Sequence, residues 1–169
     1  MVGIVMGVSG AGKTTVGERL AAELGWSFYD ADAFHPPENV RRMQARQPLS
    51  DADREPWLVA LEALVAALLQ AGTPAVLACS ALRAEYRERL ARPAQGAAAA
   101  VRFVYLHISP DEAQRRTSRR EGHFMPAALV ESQFATLEPP AGALTLDATL
   151  PPADLVAAIR KAWGMTNSE

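Results

Sequence analysis

Residues 7–14 read Gly7-Val8-Ser9-Gly10-Ala11-Gly12-Lys13-Thr14, three glycines and a lysine in the spacing G-x-x-x-x-G-K-[ST]. No stretch constrains the fold of this chain more tightly. Before it, residues 2–6 are short and apolar, the pattern of a buried parallel strand. After it, Val16, Leu20 and Leu24 fall four apart on one helical face. A strand must therefore feed a tight glycine turn and then a helix. Glycine permits positive φ and lets backbone approach an anion closely. Successive N–H groups then form a concave nest, and the positive end of the helix dipole points at the same place. In such a phosphate-binding loop, or P-loop, Lys13 reaches the β- and γ-phosphates of a nucleotide as a point charge, and the Thr14 hydroxyl ligates Mg2+. The expected nucleotide-binding set is Gly7, Ser9, Gly10, Ala11, Gly12, Lys13, Thr14 and Thr15. The bland alternative is an ordinary glycine-rich turn between a strand and a helix.

The rest of the chain repeats the alternation. Apolar strand patterns lie at 2–6, 27–29, 75–79, 101–108 and 143–147. Helical patterns lie between them, at 36–43, 50–69, 81–91, 111–122, 126–136 and 151–163. Residues 93–100 read as a small-residue linker. Short apolar strands alternating with helices predict an α/β fold, a parallel sheet covered on both faces. Ligands of such sheets bind at the carboxyl ends of the strands. That rule sets three loops beside the P-loop: residues 30–35, residues 80–83 and the Asp147 turn.

At 169 residues the chain is expected to be one domain. Its net charge of −2 provides no polycationic surface for nucleic acid. Cys79 is the only cysteine, so no internal disulfide forms, as suits a reducing cytoplasm. No signal peptide is visible, and no apolar run reaches the roughly 20 residues of a membrane span.

Chemistry-bearing residues cluster where the loops should meet. Asp30-Ala31-Asp32 follows the second strand, so alternation turns both carboxylates to one side. The third strand ends Ala78-Cys79-Ser80 without an aspartate, which leaves Asp30 to hold Mg2+ through a water. Asp32 lies further out and can accept a proton from a substrate hydroxyl or orient it. Two solvated carboxylates in a capped turn are the alternative. Arg115, Arg116, Arg119 and Arg120 share one helix. Arg116 and Arg120 are four apart, so they share a face and can act as cations of a closing lid. Arg115 and Arg119 read as a solvated basic face. His35 and His123 are candidates for substrate hydroxyls, against ordinary surface or core roles. No histidine has a second ligand at zinc spacing. Arg83 follows the third strand at the ligand edge. Asp51, Asp53 and Arg54 read equally as a helix cap with an ion pair or as a polyol clamp. Trp57 and Trp163 read as core anchors, and Cys79 as an inert core thiol.

The P-loop, Asp30-Ala31-Asp32 and the arginine helix together resemble the small-molecule kinases among P-loop proteins, the group of shikimate kinase and the adenylate kinase type. Three further segments resemble gluconokinases: Asp32-Ala33-Phe34-His35-Pro36, then the run from Pro48 through Asp51, Asp53 and Arg54 to Trp57-Leu58, then Cys79-Ser80-Ala81-Leu82-Arg83 with Tyr86 and Arg87. Gly122-His123-Phe124-Met125 and Gln133-Phe134-Ala135-Thr136-Leu137-Glu138 resemble them too. The resemblance runs from Val5 to about Ile159 and implies a reaction, ATP plus D-gluconate giving ADP and 6-phosphogluconate. It implies a P-loop NTPase-type three-layer sandwich, a five-stranded sheet in the order 2-3-1-4-5, a helical lid at about 111–136 and, as in several members, a homodimer. Carried over by position, residues 10–15 hold the phosphates and Mg2+, and Asp32 takes the general-base or orienting role. His35, Arg54, Arg83 and His123 meet the sugar acid, and Arg116 and Arg120 are the lid cations. Segments 93–100 and 147–149 depart from the pattern. A kinase of another small hydroxylated acid, such as shikimate, and a nucleotide-binding switch without an acceptor are the rival readings.

Overall fold

The computed structural model describes residues 1–97, 100–119 and 127–165. Five strands, β1 (Val2–Met6), β2 (Ser27–Asp30), β3 (Ala75–Ala78), β4 (Val101–His107) and β5 (Leu144–Asp147), form one sheet in the order β2-β3-β1-β4-β5. Every neighbouring pair is parallel, and Val2 of the central strand sits opposite both Ala75 and Val101. Around the sheet lie α1 (Lys13–Leu24), α2 (Pro37–Gln44), α3 (Asp51–Gln70), α4 (Ala84–Ala91), α5 (Pro110–Ser118), α6 (Ala127–Thr136) and α7 (Pro152–Ala162). This is the expected architecture, strand order included.

Strand alternation sorts the core into two layers. Val2, Ile4 and Met6 of β1 pack with Trp57, Leu58, Leu61 and Val65 of α3 and with Leu90 of α4. On the other side Val5 packs with Val16 and Leu20 of α1 and with Leu155, Val156 and Ile159 of α7. Both faces of β1 are sealed from water. That burial explains why its sequence runs apolar throughout rather than alternating.

Gly3 is chosen by packing. A Cβ at this position would collide with the Trp163 indole, which stacks on Trp26 with ring centroids 6.3 Å apart. Gly3→Ala is expected to destabilise the fold by roughly 1–3 kcal/mol, the usual cost of overpacking a core. Thermal unfolding then occurs several degrees lower. An unchanged melting temperature would show that the indole moves aside freely.

Four elements differ from expectation. The helix expected over 81–91 begins only at Ala84. The Arg87 guanidinium, almost buried, donates to the carbonyls of Ala81 (2.8 Å), Leu82 (3.1 Å) and Glu138 (2.8 Å), which holds residues 81–83 as a loop. Ala81 takes a left-handed φ of 44° there. Asp30-Ala31-Asp32 does not continue extended: Ala31–Phe34 is a 3-10 turn, capped where the Asp30 carboxylate accepts from the Asp32 N–H at 2.9 Å. A second 3-10 turn, Arg92–Ala94, starts the linker. The helix expected over 111–122 ends at Ser118, with Arg119 at its C-cap rather than on the helix, and the expected start at Pro126 lies outside the described residues.

Candidate active site

The P-loop closes over the start of α1. Gly10 and Gly12 adopt φ of 86° and 91°, a region costly for any side chain. Gly12 is the N-cap of α1, with no side chain capping it, so the first N–H groups of the helix are open to an anion. A Cβ on Gly10 would also press on the Ala113 carbonyl of α5, 3.0 Å away. Lys13 folds back along the loop, and its Nζ donates to the Val8 carbonyl at 3.0 Å.

Two distant elements grip the same loop. Gln133 of α6 takes the Ser9 N–H on Oε1 at 2.7 Å and donates from Nε2 to the Ser9 hydroxyl at 3.1 Å. Arg116 of α5 donates to the Gly10 carbonyl (3.2 Å) and the Ala148 carbonyl (2.9 Å), joining the P-loop to the turn after β5. Its Nε also meets Glu112, and Arg115 binds the same carboxylate. The two guanidinium groups hold the Glu112 pKa down at about 2. Arg115 is thus a solvated ion-pair partner, as expected.

The loops at the strand ends enclose a cavity of about 620 Å³. Lys13, Thr14 and Asp30 line it at the P-loop, and Asp32, His35 and Arg54 line it on the side of α2 and α3. The Thr14 hydroxyl donates to Asp30 Oδ2 at 3.3 Å. A hydroxyl and a carboxylate are the hard oxygen donors Mg2+ takes, and this ion keeps several waters and substrate phosphates as its other ligands. These residues therefore fit Mg2+. Among the described residues no group of three or more His, Cys, Asp or Glu side chains is placed to hold a metal alone.

The electrostatics on the α2 and α3 side of the cavity are unusual. Asp32 opens to the cavity, yet the protein packed around it desolvates its carboxyl, and the Asp30 charge adds repulsion. Its pKa is raised, although Lys13 and His35 pull the other way. Burial lowers the pKa of His35, with Asp32 opposing and Arg54 assisting. The His35 ring stacks on Trp57, centroids 4.7 Å apart and planes 8° from parallel. Trp57 is locked in turn by its indole N–H, which donates to the Ala31 carbonyl at 2.8 Å. Cys79 forms part of the cavity wall but is almost wholly buried, and burial pushes its thiol up to about 12. The thiolate is the reactive form, so an aromatic disulfide reagent at pH 8 is expected to leave Cys79 intact in the folded protein and to titrate it fully after denaturation. Stoichiometric reaction of native protein would contradict that burial.

Most expected site residues come together. Gly10, Gly12, Lys13, Thr14, Thr15, Asp30, Asp32, His35, Arg54 and Arg116 all line the one cavity. Arg83 stands behind it, bonded to Asp51 at 3.1 Å with its guanidinium over the Tyr86 ring. The Ser50–Asp51–Asp53 segment is a helix cap with ion pairs: Ser50 and Asp53 form a reciprocal capping box, and Asp51 pairs with Arg54 and Arg83. Arg119, expected on a solvated face, borders the cavity. Trp57 serves both core and cavity wall. Arg120 and His123 lie outside the described residues. Sequence reasoning missed Gln133, Tyr86 and Asn39. Tyr86 donates to Asp51 at 2.9 Å and receives Arg54 at 3.4 Å. The only sequence signal for Gln133 and Tyr86 was their place in the resembling segments.

Comparison with known proteins agrees with this geometry. A family profile described as "AAA domain" matches residues 2–140. A gluconokinase of Gluconobacter oxydans is 52% identical over 137 residues, covering 81% of this chain and 75% of that protein. The crystal structure of a gluconokinase from Sinorhizobium meliloti superposes with a TM-score of 0.86 at 40% identity, covering 96% of this chain and 91% of that one. Shikimate kinase from Aquifex aeolicus shares the fold, with a TM-score of 0.59 at 16% identity over 97% of this chain and 96% of that one. With matches of this extent and identity, the chain belongs to the gluconokinase family of P-loop kinases.

Proposed function

We propose that this protein transfers the γ-phosphoryl group of ATP to the primary hydroxyl of D-gluconate, giving ADP and 6-phosphogluconate. The observation that carries the reading is the single cavity that joins Lys13 and Thr14 to Asp32, His35 and Arg54. Phosphoryl transfer is mostly positioning and charge stabilisation, and both ends of that cavity serve it. The acceptor identity rests on the relatives, whose names state gluconokinase.

At the donor end, Ser9, Gly10, Gly12, Lys13, Thr14 and Thr15, which line the cavity, cradle the phosphates, with Gly7 and the buried Ala11 shaping the loop from behind and Lys13 leaving the Val8 carbonyl to meet them. Thr14, and Asp30 through a water, would hold Mg2+, which when bound spreads charge over the β- and γ-phosphate oxygens. At the acceptor end Asp32 takes the hydroxyl proton as the new O–P bond forms and the bond to ADP breaks. A carboxyl with a raised pKa is a better base than an ordinary one at neutral pH. Arg54 and His35 orient the sugar acid, and Arg83 supports them through Asp51. Arg116 adds its cation beside the transferring group, and Arg120 and His123 are further candidates by the sequence and its resemblance alone. The reading takes residues 1–169 as one kinase domain with a lid at about 111–136, working in the cytoplasm as a homodimer. No helix among the described residues is long and apolar enough to cross a membrane.

Coupled ADP release tests the acceptor. With ATP and Mg2+, a rate is expected with D-gluconate and not with shikimate, nucleoside monophosphates or no acceptor. Turnover with a different acid would keep the kinase and reject gluconate. Acceptor-independent hydrolysis would mark a nucleotide switch.

A further inference from the structure

Asn39 is an almost fully buried polar residue of α2, 3% exposed, in a helix that is otherwise largely solvated. Its Nδ2 lies 2.7 Å from the Asp53 carbonyl and 3.2 Å from His35 Nδ1. A carbonyl oxygen only accepts hydrogen bonds, so the amide atom facing Asp53 must be the NH2 group. The same NH2 faces His35 with its second hydrogen. A donor there requires Nδ1 to be the unprotonated, accepting nitrogen. In a neutral imidazole the proton then sits on Nε2. Trp57 fixes the plane of this ring by stacking, and Asn39 fixes which nitrogen carries the hydrogen. Asp53, which holds Asn39, and Trp57 both belong to the first turns of α3: Asp53 closes the capping box with Ser50, and Trp57 is bonded to Ala31.

The geometry points to Asn39 as a positioning residue that holds His35 as the Nε2–H tautomer, so that the ring offers one directed donor to an oxygen of the acceptor substrate. The donation step rests on the acceptor reading above; the tautomer does not. Burial of His35 and the nearby Arg54 keep the imidazole neutral, which the arrangement needs. A neutral donor suits a site that also holds Asp32 as a base. An imidazolium beside Asp32 would favour the carboxylate charge and weaken it as a proton acceptor.

Nitrogen-15 NMR of the imidazoles in the free protein reads the tautomer directly, with the His35 signals assigned by their loss in His35→Gln. The expected spectrum at neutral pH shows His35 protonated on Nε2, and Asn39→Ala is expected to mix the two tautomers. A His35 protonated on Nδ1 in the wild type would overturn the pin. Kinetics then test the donation. Glutamine places its NH2 near the position of Nε2, and asparagine places its own near Nδ1. His35→Asn is expected to raise the gluconate KM about ten-fold, the scale of one lost hydrogen bond, and His35→Gln by a third of that or less. The ATP KM should move little in either. Equal losses in the two variants would overturn the donation. A wild-type protein that shows the pinned tautomer but no gluconate turnover would reject the acceptor reading and, with it, the donation, while leaving the pin intact.

Discussion

Asp32→Asn is expected to lower kcat by about 100- to 10,000-fold, the range for loss of a positioned general base, while the KM for ATP stays nearly constant. The split follows from position. Asp32 lines the cavity beside His35 and Arg54, and in the proposed reading the P-loop, not Asp32, holds the nucleotide. Its raised pKa adds two further expectations. The acid limb of kcat/KM in the wild type should lie above the ordinary carboxylate range and disappear in the variant. Stability should also move in the opposite direction to activity. A carboxyl whose folded pKa is raised binds its proton more tightly in the native state than in the unfolded chain. Stability is therefore lost as pH rises from the unfolded pKa through the folded one. Asparagine carries no such penalty, so the inactive variant should melt higher than the wild type at neutral pH. Near wild-type turnover, measured by steady-state ADP release, would remove Asp32 from the chemistry.

The second large effect is at Lys13. Methionine keeps the unbranched stem and removes only the ammonium group. Lys13→Met is expected to cut kcat by about 100- to 1,000-fold or more, as loss of one preorganised charge at a transferring group does. The folded protein loses the Nζ bond to the Val8 carbonyl, a contact worth about 1 kcal/mol net, so its melting temperature should fall by no more than a few degrees. Single-turnover phosphoryl transfer measured beside thermal unfolding separates the two. A variant that keeps its turnover would show that the loop amides and Arg116 suffice without the lysine.

What was legible in the amino-acid order is what local chemistry dictates. The P-loop declares itself by glycines spaced with a lysine and a threonine between a strand and a helix, and the strands by apolar runs. Asp32 and His35 could be assigned to the ligand edge because strand ends in a parallel sheet share it, whereas Arg54, in the first turn of α3, joined them only through the resemblance. Contacts between distant residues were not legible. Gln133 grips Ser9 across 124 positions, and no local pattern marks a glutamine as a partner of the P-loop. The loop over residues 81–83 replaces a helical turn because a buried arginine, Arg87, binds its carbonyls, and helix propensity carries no such information. Strand alternation placed Asp30 and Asp32 on one side, and the structure does so by a capped 3-10 turn instead. Arg119 was assigned to solvent by its neighbours on the helix, whereas its place at the cavity depends on how α5 lies over the P-loop. Gly3 reads as any strand residue until Trp163 is packed on it.

The central claim is that the protein places a phosphoryl group on the primary hydroxyl of a sugar acid. Phosphorus-31 NMR of the products formed from ATP, Mg2+ and D-gluconate tests it most directly. The account predicts a phosphomonoester signal split into a triplet by the two methylene protons at C6, growing in step with ADP. A doublet, which marks a secondary hydroxyl, would contradict the proposed acceptor geometry. Inorganic phosphate in place of any ester would contradict the kinase itself.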